Sequence, residues 1–196
     1  MHLRKFAVAI ALGVTLTGCA QSEPASVTPP DRSAVEAQIS AAPPSPVAPA
    51  QPEWIELRSA ESQTYMSSTV NPDGLYRDSS QVLNPVDERP AWWAESGLPG
   101  TDTEQTVVVV GHNYSTRDAP FRSLGVAQVG DIVVVRTATG TLEYGVESVG
   151  PLPKGSLLAD NDLRAQVPGR LILANCDVRN GEPTGDNFFV VAQLAG

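Results

Sequence analysis

The sequence predicts a mainly β domain with short helices, and two observations support this fold class. From about Glu53 to the end of the chain, segments rich in β-branched and aromatic residues recur at short intervals and are separated by turn residues. Helical patterns in this region are confined to short pieces. Strands at this spacing without long helices favour a closed barrel or a sandwich.

Seven strands and two short helices are predicted. The strand segments are 54–58, 64–68, 106–110, 131–137, 141–149, 170–175 and 187–194. Turn signals between them are Gly130-Asp131, Thr139-Gly140 and Pro168-Gly169. The helical pieces are 90–96 and 120–124. Residues 53–196 have the size of one domain that can bury an ordinary core.

The N-terminus has the pattern of an export signal. Arg4 and Lys5 precede an apolar stretch, from residue 6 to about residue 16, that is too short to span a bilayer. The next residues, Leu-Thr-Gly-Cys at 16–19, resemble a bacterial lipobox. This resemblance predicts removal of residues 1–18 and lipidation of Cys19; an ordinary secretory signal with an incidental cysteine is the alternative. A lipid anchor would hold the protein on the extracytoplasmic face of a bacterial cell membrane, and a Gram-positive organism is expected.

The segment 19–52 is predicted to be a tether. Pro, Ala, Ser and Gln dominate it, and few of its residues are able to build a core. Such a composition favours extended polyproline conformers, which at about 3.1 Å per residue would hold a domain up to about 100 Å from its anchor. A binding role for the prolines is the alternative.

Charge and cysteine content exclude several classes of protein. The formal net charge is −9, and loss of Arg4 and Lys5 with the signal makes it −11. An acidic protein without a basic cluster is not expected to bind nucleic acid or to be attracted electrostatically to anionic lipid. With Cys19 lipidated, one thiol remains, so no intrachain disulfide can form. The sequence implies no metal and no cofactor, since too few cysteines and histidines remain for a zinc site.

The remaining cysteine and histidine are the candidate catalytic residues. His112 lies just after a β-branched run in TVVVVGHN (106–113), and Cys176 ends another such run in RLILANCD (170–177). An unpaired cysteine in an exported protein suggests reactivity, and a histidine that favours the thiolate would make it a nucleophile. The alternative is a buried inert thiol and a loop histidine with a structural hydrogen bond.

Several motifs follow one another in the same order across nearly the whole domain. They are Pro85-Val86-Asp87, Trp92-Trp93, Pro99-Gly100, Val110-Gly111-His112, Phe121-Arg122-Ser123-Leu124, Val129-Gly130-Asp131, the hexapeptide LILANC at 171–176, and DNFFVV at 186–191. Together they resemble the sortase family, and most closely its actinobacterial class E/F members. The resemblance implies a closed eight-stranded β-barrel with short helices, in which the connection 150–169 walls a peptide groove.

The resemblance also implies a reaction. A free thiol has a pKa of about 8.5, so a neighbouring imidazolium is needed to favour the nucleophilic thiolate. Cys176 would attack a peptide carbonyl to give a thioacyl-enzyme, and His112 would act as general acid and then as general base. The implied substrates are a protein with an LPxTG-like sorting signal and an amino group in the cell envelope. A thiol hydrolase and a catalytically weak, sortase-shaped lipoprotein that binds envelope peptides or proteins are the alternatives.

The chain departs from the family pattern at three positions. The threonines that the family carries four residues and one residue before the cysteine are Ile172 and Asn175 here. The family's arginine, which stands just before the Asp-Asn of the last strand, is Gly185. That arginine donates to the substrate and to the developing oxyanion, and loss of one such donor costs about 2.7 to 4 kcal/mol.

Other residues are candidates to replace these lost donors. Arg179, in the predicted loop 177–186, is the nearest cation to the nucleophile; its alternative is a solvated loop arginine. Arg117 and Arg122 are weaker candidates. Asn175 is a candidate oxyanion or substrate-binding donor, and its alternative is to satisfy backbone groups at the end of a strand.

Overall fold

The computed structural model describes residues 45–78 and 82–196. The predicted export signal, Cys19 and the tether as far as residue 44 lie outside the described residues. Ten strands are described: β1 (Pro52–Arg58), β2 (Thr64–Thr69), β3 (Leu75–Arg77), β4 (Leu83–Pro85), β5 (Ala91–Trp92), β6 (Val107–Val110), β7 (Ile132–Thr137), β8 (Gly140–Pro153), β9 (Arg170–Arg179) and β10 (Glu182–Leu194). The described helices are a 3-10 helix, Pro120–Val126, and two α-helices, Ser156–Ala159 and Asn161–Arg164. None of these helices has the length and hydropathy that a bilayer crossing requires.

Eight of the strands form one sheet in the order β2-β1-β7-β8-β10-β9-β6-β5. Neighbouring strands are antiparallel except β6 and β9, which run parallel. Strands β3 and β4 form a separate two-stranded ladder. In β1 the fully buried Ile55 and Leu57 lie on either side of the less buried Glu56, and this alternation directs one face of the sheet inward.

The two edges of the sheet meet through one isolated bridge. Asn71 follows edge strand β2 and pairs in parallel with Ala91 of edge strand β5. The Asn71 N–H donates to the Pro90 carbonyl at 2.8 Å, and the Asn71 carbonyl accepts from the Trp92 N–H at 3.2 Å. Because these bonds join the edge strands, the sheet curls into an eight-stranded barrel. The predicted mainly β barrel with short helices is confirmed.

Apolar side chains pack on both sides of the parallel pair β6 and β9. The inner cluster fills the barrel, and its largest fully buried side chains include Ile55, Leu57, Phe121, Leu124, Tyr144 and Leu171. An outer cluster covers the other face of these strands and consists of Leu83, Val108, Val110, Leu157, Ile172, Ala174 and Phe189. Burial on both faces explains why these two strands are continuous apolar runs in the sequence.

The helix predicted at 90–96 is wrong, whereas the one predicted at 120–124 is confirmed as the 3-10 helix. Residues 91–92 form strand β5, which pairs with Val110 and Val109 of β6. Trp92 is only 5% exposed, and its indole N–H donates to the Gly97 carbonyl at 3.0 Å. Burial of this large aromatic side chain and its strand pairing outweigh the weak local preference for helix.

The loop predicted at 177–186 is also wrong, because this segment is a β-hairpin. Strand β9 continues to Arg179, and β10 begins at Glu182. Asn180 and Gly181 between them have φ values of 52° and 81°, the left-handed conformation that a two-residue hairpin turn requires. The Asn-Gly dipeptide was therefore the signal for this hairpin.

Residues 47–50, which composition assigns to the tether, are hydrogen bonded to the barrel. The Thr101 N–H donates to the Val47 carbonyl at 2.9 Å, and the Ala50 N–H donates to the Pro99 carbonyl at 3.1 Å. Contacts of the chain with the barrel therefore begin before strand β1.

Candidate active site

The parallel pairing of β6 with β9 brings His112 and Cys176 to the same level. The register runs from Val107 opposite Leu171 to Val110 opposite Ala174, a constant offset of 64 positions. His112 and Cys176 differ by the same 64 positions, and each lies two residues beyond the last pair of this ladder. The Gly111 N–H donates to the Ala174 carbonyl at 2.9 Å and extends the pairing toward them. The register therefore places the two candidate catalytic residues at the same level on neighbouring segments, His112 just after β6 and Cys176 within β9.

Cys176 lies on the outer face of the sheet, two residues after Ala174 and opposite Asn187, which both line a groove. Side chains alternate along β9, so Cys176 shares the face of Ile172 and Ala174, both of which belong to the outer cluster. Unlike those residues, Cys176 is partly exposed. The thiol is therefore not sealed in the core, which disfavours the alternative of a buried inert cysteine.

The groove beside the thiol is mainly apolar. Residues of five segments line it: Val82, Leu83, Val110, Gly155, Leu157, Leu158, Ala174, Asn187 and Phe189. The connection 150–169, which the resemblance places along a peptide groove, supplies three of these residues. Asp160 in this connection caps the helix Asn161–Arg164 by accepting from the Asp162 N–H at 2.8 Å, which gives the Asp160 carboxylate a structural role.

His112 is held by a backbone carbonyl. Its Nε2 lies 2.9 Å from the carbonyl oxygen of Pro85, the last residue of β4. A carbonyl oxygen only accepts hydrogen bonds, so Nε2 carries the hydrogen, and Nδ1 is the ring nitrogen that is left to exchange a proton. The ring also stacks on Tyr114, with centroids 4.8 Å apart and an interplanar angle of 25°.

Asn187 lies directly opposite Cys176, and sequence reasoning missed it. A regular hairpin with Arg179 opposite Glu182 and Val178 opposite Pro183 would place Gly185 across from Cys176. The register instead shifts between Pro183 and Asn187, and two extra residues of β10 bulge out. Recognition of the hairpin turn alone would still have indicated the wrong partner for the thiol.

The amide of Asn187 links β10 to the strand that carries the nucleophile. Its Nδ2 donates to the Asn175 carbonyl at 2.9 Å, next to Cys176 in the chain. The bulge that positions it is itself bonded: the Thr184 hydroxyl donates to Asp177 Oδ2 at 3.0 Å and accepts from the Asp186 N–H at 3.1 Å. Asn187 is therefore the polar side chain that the fold places across from the thiol.

Asn175 lies on the opposite face of β9 from Cys176. Its side chain is 1% exposed, and its Nδ2 donates to the Phe121 carbonyl at 2.5 Å. This bond attaches the 3-10 helix to β9, which matches the alternative that Asn175 satisfies backbone groups. Its role as an oxyanion or substrate-binding donor stays a prediction.

Arg179 is paired with a carboxylate. Its Nε lies 2.8 Å from Asp177 Oδ2, and alternation along β9 places both residues on the face opposite Cys176. Arg117 and Arg122 are paired in the same way, with Glu88 at 3.0 Å and Asp118 at 2.7 Å. The arrangement gives no support to Arg179 as the substitute for the family's arginine, and that role stays a prediction.

The fold and the site define a β-barrel protein in which the parallel pair β6 and β9 brings a histidine and a partly exposed cysteine to the same level, on the face of the sheet that also carries an apolar groove. A family model described as Sortase domain matches residues 64–195, and the chain belongs to the sortase family. The predicted family is therefore confirmed, whereas membership of class E/F stays a prediction. No curated sequence shows significant similarity to the chain.

Solved sortase structures share this fold at low sequence identity. Sortase A from Corynebacterium diphtheriae superposes with a TM-score of 0.50 and 17% identity, over 74% of this chain and 62% of that one. Sortase C1 from Streptococcus suis gives a TM-score of 0.53 and 14% identity, over 75% of this chain and 74% of that one. Sortase C1 of Streptococcus agalactiae, in its complex with MTSET, gives 0.52 and 14%, over 73% and 69% of the two chains. The chain thus spans less than two thirds of the length of the Corynebacterium protein.

Proposed function

We propose that this protein is a sortase-type cysteine transpeptidase. The observation that carries the proposal is the parallel register of β6 and β9, which aligns His112 with the partly exposed Cys176. Membership of the sortase family supports it. A thiol and an imidazole at the same level of neighbouring segments are the minimum that acyl transfer through a thioester requires.

The reaction proceeds in two balanced steps. The Cys176 thiolate attacks the carbonyl of the scissile peptide bond, a carbon–sulfur bond forms, and the carbon–nitrogen bond breaks as imidazolium His112 protonates the departing amine. An amine of the cell envelope then gives its proton to neutral His112 and attacks the thioester. A new peptide bond forms, and the thiolate leaves. Because Nε2 donates its hydrogen to the Pro85 carbonyl, Nδ1 is the nitrogen that gains and loses the proton during the reaction.

The groove lined by Leu83, Val110, Leu157, Ala174 and Phe189 supports a substrate with apolar side chains on the acyl side of the scissile bond. An LPxTG-like sorting signal has this character in its leucine and proline. The acyl donor is therefore a protein that carries such a signal, and the acceptor is an amine of the envelope.

The N-terminal 52 residues support an extracytoplasmic location. The lipobox-like motif at Cys19 would attach the protein to the outer face of the cell membrane of a Gram-positive bacterium, and the tether would hold the barrel away from the membrane, within the envelope. Intact-mass analysis of the membrane-bound protein checks this: we expect a mature chain that begins at a diacylated Cys19, and release of Cys19→Ala from the membrane. A mature N-terminus elsewhere would contradict it.

A transfer assay tests the reaction. The full chain, purified in detergent, is mixed with a fluorescent LPxTG-containing peptide and triglycine, and products and enzyme are analysed by mass spectrometry. We expect the peptide–triglycine product and a transient acyl adduct on Cys176, both absent in Cys176→Ala and strongly reduced in His112→Gln. If water rather than triglycine captures the acyl group, the protein is a thiol hydrolase.

A catalytically weak, sortase-shaped binding protein is the second candidate. Gly185 in place of the family's arginine and the ion pair of Arg179 with Asp177 favour it. It predicts saturable binding of the same peptide without an acyl adduct, together with alkylation of Cys176 at the rate of a free thiol. A rapid rate of alkylation that His112→Gln abolishes would reject it.

A further inference from the structure

The residues around His112 form a closed circuit of contacts. His112 stacks on Tyr114 at 4.8 Å between centroids, and the guanidinium carbon of Arg117 lies 3.9 Å from the centroid of the same Tyr114 ring. Arg117 Nη1 pairs with Glu88 Oε1 at 3.0 Å. Glu88 lies three residues after Pro85, whose carbonyl accepts from His112. The series of contacts therefore leads from His112 to Glu88 and, through the chain segment 85–88, back to His112.

The tyrosine ring is in contact with both the imidazole and the guanidinium. The imidazole stacks on it with an interplanar angle of 25°, and the guanidinium carbon lies over the ring. A guanidinium over a tyrosine ring is attracted to the negative π face, and offset stacking of two rings is likewise favourable.

We infer that Tyr114, Arg117 and Glu88 are positioning residues that hold the His112 imidazole with Nε2 on the Pro85 carbonyl and Nδ1 free for proton transfer. The inference rests on the proposed function, because it assigns residues that orient the general acid–base of that reaction. None of the three needs to touch the substrate. Their effect is to fix the plane and the tautomer of the ring.

The circuit joins two segments that are far apart in sequence. Residues 85–88 contribute one carbonyl and one carboxylate, and residues 112–117 contribute the imidazole, the phenol ring and the guanidinium. Without the stack on Tyr114, the hydrogen bond to Pro85 alone would leave the ring free to rotate about that bond. Two contacts of different direction, one in the ring plane and one on its face, remove this freedom.

Nitrogen NMR of the imidazole tests the inference directly. The chain contains two histidines, His2 and His112, so a His2→Gln background leaves His112 as the single imidazole. With 15N-labelled histidine in the full chain, long-range proton–nitrogen spectra at a pH where the ring is neutral identify the protonated nitrogen. We expect hydrogen on Nε2 in the parent protein and in Tyr114→Phe, and a mixture of both tautomers in Tyr114→Leu.

Activity gives the second measurement. We expect Tyr114→Leu to lower kcat by about tenfold with little change in KM, and Tyr114→Phe, which keeps the stacked ring, to retain near-parental kcat. Arg117→Met should shift the tautomer balance in the same direction as Tyr114→Leu. Arg122→Met is its matched control, because Arg122 is exposed to the same degree and is also ion paired, with Asp118.

The two measurements separate this inference from the proposed function. Hydrogen on Nδ1 in the parent protein would overturn the inference, and so would a Tyr114→Leu spectrum identical to that of the parent. Either result leaves transpeptidation standing if transfer is observed. Absence of transfer together with the expected tautomers would reject the proposed function and leave the positioning circuit intact. Thermal unfolding of each variant identifies any that fail to fold, and the exposed Arg117→Met variant then carries the test.

Discussion

Replacement of Gly111 by alanine should destabilise the barrel beside the candidate catalytic histidine. A β-carbon on Gly111 would lie 2.5 Å from Cδ2 and 2.7 Å from Cβ of Phe121, well inside van der Waals contact. Phe121 is fully buried, and its carbonyl accepts from Asn175, so the ring has little room to yield. Insertion of a methyl group into such a site costs about 1 to 3 kcal/mol.

The same overlap should disturb catalysis, because Gly111 directly precedes His112. If Phe121 does not move, the end of β6 must, and displacement of the imidazole by a fraction of an ångström is expected to lower kcat/KM by about tenfold. Urea unfolding gives the change in stability, and the peptide–triglycine transfer assay gives the change in activity.

Gly145→Ala is the matched control for this variant. Gly145 lies in strand β8, and a β-carbon on it would meet no atom within 4 Å. There, loss of backbone freedom in the unfolded chain should leave stability unchanged or raise it by about 0.4 to 1 kcal/mol. Equal stability of Gly111→Ala and Gly145→Ala would refute the packing argument.

Three further predictions concern polar groups near the site. Asn187→Ala should lower kcat/KM about fivefold, the equivalent of about 1 kcal/mol for one hydrogen bond, and an unchanged value would remove this residue from the site. Arg179→Ala should leave kcat/KM nearly unchanged and lower the free energy of unfolding by at most about 1 kcal/mol, because the mostly exposed guanidinium only pairs with Asp177; a hundredfold loss of activity would restore it as the missing oxyanion donor. The hydrogen bond from Arg89 lowers the pKa of the Asp87 carboxyl. The stabilisation from this bond is therefore present above the ordinary pKa of an aspartate and is lost as the pH falls through the lowered pKa of Asp87. Carboxyl NMR titration should show the Asp87 pKa rise toward its usual value in Arg89→Gln, and an unchanged pKa would contradict the assignment.

Much of the fold was predictable because the strands carry local signals. The runs VVVV (107–110) and LILA (171–174) are apolar at every position, and the structure explains this by burying β6 and β9 on both faces. The strand β5 carries no such signal: it has two residues, and it exists because Trp92 enters the core and Ala91 pairs with Val110. Pairing with a partner far away in sequence outweighs a local pattern of this length.

The site shows the same division. Cys176 and His112 could be selected as candidates from the sequence because each lies at or just beyond the end of a β-branched run. The residue opposite Cys176 in the ladder was not predictable, because the bulge in β10 shifts the register so that Asn187, and not Gly185, faces Cys176. Nor was the pairing of Arg179, since this depends on Asp177 lying on the same face of an extended strand and not in a loop.

By itself, the sequence determined the mainly β fold, the family and the two candidate catalytic residues, because alternation, apolar runs and motif order are properties of neighbouring residues. Only the tertiary structure decided which groups surround those two residues: the carbonyl that holds the imidazole, the ring stacked on it, and the amide across from the thiol. The Pro85 carbonyl and the Asn187 amide come from other strands, and their positions follow from strand register, bulges and packing. Tyr114 lies only two residues from His112, and its stack depends on the conformation of the loop after β6. A shift of register by one residue would turn each of these side chains to the other face of the sheet.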